Sequence, residues 1–417
     1  MKILHINYTD LAGGRFTGYY MQEALDAQHS VEMAVWEKKS NSNYVHKIPP
    51  GNPFLHCILD KLLKLSSRFG LDRLLGFGGI AIKNLAFFKQ ADVIHIHLIH
   101  NFSNFSILSL PHISKLKPVV WTLHDPWAMT GGCEHSFDCM KWQNGCSGYC
   151  PYPRAKSLFQ HRIPFIHWKL KKWIFHQSEI TLVVASKWME YRIKKSPLLN
   201  HLPCHTIPFG INIEKFRPLP KIESKIKLGI PIENKVIAFR GMEINRDKFK
   251  GMKYLLEALK LYKPKEAVTL LIFENGISFS SLSSEYHIVN TGWIDGDDLI
   301  CGLSAADIFV MPSIQESFGL MAVEAMACET PVVVFEGTSL PSVINAPYGG
   351  LAVPAKNSQA LSEAINSLLV DDNLREKLAK QGRNLVENEY SFERYVEKHI
   401  QVYNDVWIKH RSKITNS

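Results

Sequence analysis

The sequence predicts an α/β protein built from two doubly wound, parallel-sheet domains, and three observations carry that expectation. The chain has 417 residues, too many for one ordinary core and suited to two domains of roughly 200 residues each. Its composition, 46% hydrophobic and 21% charged, is that of a soluble globular protein. Short apolar, β-rich runs alternate with helical periodicity through both halves, the pattern of parallel strands joined by crossover helices.

In the first half the expected strands are Lys2–Tyr8, Val31–Trp36, Asp92–His97, Pro118–His124, Glu179–Ala185 and Cys204–Phe209. A polar, proline-containing segment from Leu219 to Asn234 reads as a linker. The second half supplies Lys235–Arg240, Val268–Glu274, His287–Thr291, Asp307–Pro312, Pro331–Phe335 and Gly350–Val353. Helical patterns close the chain over Ser358–Val370, Asn373–Glu389 and Phe392–His410. No internal repeat or low-complexity tract interrupts this order. Two Rossmann-like domains result.

No run approaches the ~18 apolar residues of a membrane span, and glycine interrupts the longest notable stretch, Leu74 to Ile82. The opening Met1-Lys2-Ile3-Leu4-His5-Ile6 reads as a first strand rather than a signal peptide, so a cytoplasmic location is expected. The formal net charge is +9, unevenly spread: Arg154 to Lys195 holds ten Lys or Arg against two acids, Glu179 and Glu190. Phe159, Phe165, Trp168, Trp173, Phe175 and Trp188 punctuate that segment. No nucleic-acid reader motif accompanies it. An anionic membrane face or a phosphate-linked lipid fits better, and a solvated amphipathic helix carries equal weight.

The most telling stretch runs from Pro312 to Ala327. Glu316 and Glu324 stand eight residues apart, with Ser317-Phe318-Gly319 directly after the first. An apolar run precedes them and another follows, which gives strand, turn, short helix and strand. The N–H groups of Phe318, Gly319 and Leu320 would project from the helix N-terminus, where the dipole favours an anion. Glu324 would reach ribose hydroxyls and Glu316 would flank a sugar, an arrangement suited to a nucleotide-diphosphate sugar.

Here the chain resembles the retaining, nucleotide-sugar-dependent glycosyltransferases of the two-domain glycosyltransferase B fold. Their hallmark is E-x7-E followed by A-x-G-x-P-V-V; this chain reads Ala327-Cys328-Glu329-Thr330-Pro331-Val332-Val333, with Glu329 where glycine is usual. Only glycine takes positive φ freely, so strain is expected at Glu329. Ile207-Pro208-Phe209-Gly210-Ile211-Asn212 followed by Phe216-Arg217-Pro218 resembles the family's interdomain motif, with Asn212 in place of the usual acid. The resemblance implies an N-terminal domain over 1–213, a C-terminal nucleotide-sugar domain over 214–391, a cleft between them, and a final helix over 392–417 that crosses back to the first domain.

Arg240 ends a strand, and Lys250-Gly251 opens a helix; this resembles the family's Arg and Lys-Gly pair, which implies that both cations grip the diphosphate. Arg246 and Lys248 lie between them. Gly13-Gly14, after the first strand, matches the family's glycine loop and would let backbone approach a phosphate or sugar; Arg15 adds an anion contact. His124 and Asp125 end a strand, at the sheet edge where open α/β folds bind ligands. The resemblance gives His124 a contact to the donor sugar, with Asp125 orienting it, and places His97 and His100 along the acceptor side. His95 and His97 share a strand face; a hydrogen-bonded structural role outweighs a metal pair there.

Cys133, Cys139, Cys146 and Cys150 fall within eighteen residues, spaced x5, x6 and x3. Structural zinc, plain reduced thiols and disulfides are the readings, in that order. A similar insert over 131–151 occurs in exopolysaccharide (colanic-acid-type) and O-antigen glycosyltransferases, and Ser186-Lys187-Trp188 also fits the family order.

The expected function is therefore a retaining hexosyltransferase of bacterial surface-polysaccharide synthesis. It would take a UDP- or GDP-sugar donor and a polyprenyl-diphosphate-linked oligosaccharide acceptor, at the inner membrane face. Glu316, His124, Arg240 and Lys250 would be catalytic; Gly13, Gly14, Ser317, Phe318, Gly319, Leu320 and Glu324 would hold the donor. No D-x-D metal motif stands at a strand end near the donor residues, and charge neutralisation by Arg240 and Lys250 makes a catalytic divalent cation unnecessary, so no cofactor is expected for catalysis. A sugar-nucleotide epimerase of the same fold and a non-catalytic nucleotide-sugar scaffold are the alternatives.

Overall fold

The computed structural model describes residues 1–11, 13–14, 16–24, 29–48, 61, 82–100, 105–151, 161–241, 249–275, 282 and 284–415. Arg15, Arg246 and Lys248 lie outside the described residues. The chain divides into two compact units, Met1–Ile207 with Tyr395–Ser417, and Pro208–Arg394.

The first unit contains β1 (Lys2–Thr9), β2 (Ser30–Glu37), β3 (Val45–Lys47), β4 (Val93–Ile96), β5 (Val119–Leu123), β6 (Ile180–Val184) and β7 (Cys204–Thr206). They form one sheet in the order β3-β2-β1-β4-β5-β6-β7, with every pair parallel. The chain starts mid-sheet, winds to one edge and restarts beside its first strand, so β1 and β4 flank the topological switch point. β3 escapes the sequence reading because three residues, one of them His and one Lys, carry no alternation to detect. It exists because β2 offers an edge at Met33–Val35.

The second unit repeats the plan with β8 (Lys235–Phe239), β9 (Val268–Ile272), β10 (His287–Asn290), β11 (Ile308–Met311), β12 (Val332–Phe335) and β13 (Gly350–Val353). Their order is β10-β9-β8-β11-β12-β13, again all parallel, with the switch point between β8 and β11. Helices cover both faces of such sheets, so central strands are buried throughout; β5, β9, β11 and β12 have no exposed residue. That is why they read as continuous apolar runs. Each unit has its own core, one around Ile6, Ile94, Trp121 and Leu182, the other around Ile237, Leu270, Val310 and Val333.

The expected linker is not a free connector. Residues Lys221–Lys227 form a helix, and buried Lys225 donates to the carbonyls of Ile232 (2.9 Å) and Asn234 (2.6 Å). Asp307 joins it to the sheet, accepting from Val236 N at 2.7 Å and pairing with Lys221 at 2.7 Å. Short-range polarity misled the sequence reading because these polar groups satisfy backbone carbonyls internally.

The last helix, Phe392–Thr415, packs on the first unit from Tyr395 onward. Tyr403 is fully buried there and its hydroxyl lies 2.6 Å from His95 Nδ1, while Lys413 pairs with Glu179 at 2.6 Å. Where the chain leaves the second unit, Ile211 exchanges hydrogen bonds with Tyr390 O and Phe392 N, both 2.9 Å.

Candidate active site

In the second unit, the carboxyl ends of β8 and β11 gather the residues singled out by sequence. Arg240 follows β8. Its Nε donates to Phe273 O at 3.1 Å, its Nη2 to Ile294 O, and its guanidinium stacks 4.3 Å above the Trp293 ring. Nη1 lies 3.4 Å from Met321 Sδ, in the first turn of the helix Leu320–Ala327. The sheet ends therefore hold this cation beside that helix N-terminus. Sequence reasoning missed Trp293 and Met321, which carry no motif and meet Arg240 only through the sheet order.

Lys250 Nζ pairs with Glu316 Oε2 at 2.9 Å, both side chains partly exposed. A close backbone approach fixes that pair. Ile314 N donates to Phe249 O at 2.8 Å, and Gly251 sits so near Pro312 that an added Cβ would come 1.9 Å from its carbonyl oxygen. Gly251 has φ +73° and caps the helix Met252–Leu261. Glycine is thus required at this position twice over, by conformation and by space.

Gly319, φ +94°, caps the helix Leu320–Ala327; an added Cβ would meet Leu340 Cδ2 at 2.2 Å. Phe318 turns its ring into the core, edge-on to Phe209 and Tyr390 at 5.0 and 5.8 Å, leaving only its backbone for a ligand. Ser317 and Leu320 are partly buried. Glu324 is fully buried, one turn inside the helix, and burying a carboxylate is costly unless it is satisfied. Just past the helix end Glu329 takes φ +56°, the left-handed turn that glycine would occupy without strain.

The first unit assembles a different chemistry. His5 of β1 and His95 of β4 are register partners, and His97 follows two residues on. His5 Nδ1 lies 2.7 Å from His97 Nε2, and His97 Nδ1 lies 3.3 Å from His124 Nε2. The chain of rings thus runs from the sheet interior to the carboxyl end of β5. His95 uses both nitrogens, toward Tyr403 OH (2.6 Å) and Thr122 Oγ1 (2.7 Å), and His399 Nδ1–H donates to Tyr395 O at 2.8 Å. Burial, reinforced by His399, drives the His5 imidazole down to about 3. Burial likewise lowers His399 to about 4 and holds His95, His97 and His124 below the usual imidazole value. Neutral imidazoles with alternate donors and acceptors make a dry hydrogen-bonded chain. The nearest nitrogens of His5, His95 and His97 lie within 4.8 Å of one another, a spacing compatible with a metal ion. The hydrogen bonds just described occupy both nitrogens of His95 and of His97, which favours the structural reading. Sequence reasoning missed His5, His399 and Tyr403; the four-residue spacing of Tyr395, His399 and Tyr403 on one helix face was the available signal.

Asp125, expected to orient His124, turns both oxygens elsewhere: Oδ1 accepts from Trp127 N at 2.7 Å and Oδ2 lies 2.9 Å from His100 Nε2. Burial raises its pKa, but the adjoining His100 ring and the Trp127 N–H outweigh that and hold it low. His100 also stacks on Trp127 at 4.7 Å. Gly13 and Gly14 form the turn after β1, where Gly13 O accepts from Phe16 N and Thr17 N at 2.9 and 3.0 Å.

In the insert, Cys133, Cys139, Cys146 and Cys150 are unbridged thiols. A hydrogen bond to Cys150, with burial, raises the Cys133 thiol, and burial pushes Cys146 up to about 11. Among the described residues these four do not meet the close spacing that the three histidines reach. Instead the insert is anchored by buried Lys171, which donates to Trp127 O (2.6 Å) and Thr130 O (3.1 Å), and by Trp168, whose indole donates to Trp142 O at 2.9 Å.

Residues 221–385 match the family described as glycosyl transferases group 1, a span that includes Arg240, Lys250, Glu316, Gly319 and Glu324. A D-inositol 3-phosphate glycosyltransferase from Corynebacterium jeikeium is 25% identical over 353 residues, 79% of this chain and 77% of that protein. The chain spans about half the length, 48 and 49%, of the first curated relatives that it matches. Among solved structures, sucrose-phosphate synthase from Thermosynechococcus elongatus superposes with a TM-score of 0.66 at 20% identity, over 98% of this chain and 100% of that one. Anabaena Alr3699/HepE in complex with UDP-glucose gives 0.63 at 15% identity, over 97% of this chain and 100% of that one. These likenesses establish the glycosyltransferase B fold, two Rossmann-like domains.

Proposed function

We propose that this chain is a retaining hexosyltransferase that uses a nucleotide-diphosphate sugar. The observation that carries the reading is the meeting of Arg240, the Lys250–Glu316 pair and the Gly319-capped helix at one switch point. Ligands bind at such points in open α/β sheets, and a helix N-terminus flanked by two cations suits a pyrophosphate. As the bond from anomeric carbon to phosphate oxygen breaks, negative charge grows on the departing diphosphate. Arg240 and Lys250, already oriented, stabilise that charge without reorganisation. Glu316 holds Lys250 aimed before the donor arrives. Glu324 holds the ribose. The acceptor hydroxyl attacks from the leaving-group face, and its proton passes to the departing phosphate, which preserves the anomeric configuration.

The UDP-glucose complex of the Anabaena neighbour supports a UDP-sugar donor, and the basic first unit supports an acceptor carried on a polyprenyl diphosphate, as in exopolysaccharide or O-antigen assembly. Thermal melting in the presence of UDP- and GDP-hexoses tests the donor, since a ligand bound only by the folded state raises Tm. One of these sugars is expected to shift Tm, and Glu324→Gln to shrink that shift. No shift with any of them would overturn the donor reading, and an undiminished shift would remove the ribose role.

A further inference from the structure

The helix Ile163–His176 is apolar on both sides, and among the described residues one side packs into the fold. Pro164, His167, Trp168, Lys171, Ile174 and Phe175 are buried, with Trp168 and Lys171 hydrogen-bonded to the insert. These bonds fix the helix rotation. On the opposite side Phe165 is 38% exposed, Ile166 51% and Trp173 57%, interleaved with exposed Arg162, Lys169 and Lys172. At 100° per residue these six positions fall in an arc of about 120°, a stripe about 17 Å long. No acid occurs from Arg162 to Gln177, and the next one, Glu179, is paired with Lys413. Core packing does not explain three large apolar side chains facing water beside three cations.

We propose that this face is the surface by which the protein lies on an anionic lipid bilayer. Phe165, Ile166 and Trp173 enter the headgroup boundary, and Arg162, Lys169 and Lys172 meet anionic headgroups. A second copy of the chain fits less well, because a two-fold contact would set like charges against each other. The biological use rests on the lipid-carried acceptor proposed above; the surface itself rests on this helix alone.

Flotation of the full chain with phosphatidylglycerol-containing vesicles, compared with pure phosphatidylcholine vesicles, tests it independently of turnover. The protein is expected to float with the anionic vesicles and to be released by salt. The pair F165S/W173S is expected to lower partitioning by about tenfold, and K169E/K172E by at least as much. Both should leave melting and the nucleotide-sugar shift intact, because these side chains are exposed. No flotation, flotation equal in both variants, or an apolar variant that changes only the oligomeric state would overturn the proposal. Flotation without a nucleotide-sugar shift would leave this surface standing and sink the donor reading instead.

Discussion

The two sheets share one strand order and build opposite environments at their switch points. In the first unit the point is filled by His5, His95 and His97, dry and neutral, sealed by Tyr403 and His399 of the terminal helix. In the second it is lined by Arg240 and Lys250 around a glycine-capped helix, partly open to solvent. Topology thus selects where a ligand can go, and side-chain charge selects which ligand. The second arrangement sets two cations, Arg240 and the Glu316-paired Lys250, beside a helix N-terminus, which suits an anion.

The largest break in that comparison comes from the cations. Lys250→Ala is expected to cut turnover by about 10²-fold or more, with Arg240→Ala similar, as for loss of one preorganised charge-stabilising donor. Steady-state rates with the donor identified by melting check this, and near-normal rates in both would remove the role.

Acid sharpens the other side. The folded pKa values of His5 and His399, about 3 and about 4, lie below the free value, so their contribution is intact above pH 6.5 and falls as pH drops toward 4. Each such histidine is expected to cost about 2 kcal/mol between pH 6.5 and 5. Denaturant titrations at both pH values measure it, and His5→Gln should flatten the slope.

A smaller effect tests the backbone approach that sets Lys250. Gly251→Ala is expected to destabilise by about 1–3 kcal/mol and to lower turnover, because its Cβ would displace the Pro312 carbonyl. Unchanged melting and activity would show that the approach is dispensable. The smallest change runs the other way: Glu329→Gly should stabilise by about 1 kcal/mol, by relieving the left-handed conformation. An unchanged or lower Tm would show that the Glu329 side chain repays its strain.

Much was legible in sequence because local chemistry repeats at fixed spacing. Buried parallel strands announce themselves as apolar runs, and the carboxylates eight apart flank a helix N-terminus that Gly319 caps. The strain at Glu329 followed from one missing glycine. The edge strand Val45–Lys47 was not legible, since a strand of three residues has no period and is defined by its neighbour. Nor was the partnership of Asp125 with His100 in place of the orientation of His124, because adjacency in sequence does not fix where a carboxylate turns. The helix in the supposed linker was hidden by polar residues whose partners are backbone carbonyls nearby in space.

By itself the sequence determined the fold class, the order of elements and the positions where cations and carboxylates meet the carboxyl ends of strands, because periodicity and turn chemistry are local properties. Tertiary structure alone decided that His5, His95, His97 and His399, up to 394 residues apart, form one dry cluster, and that Arg240 rests on Trp293 beside Met321. Those contacts arise from strand order and helix docking, and long-range packing leaves no spacing rule in the chain.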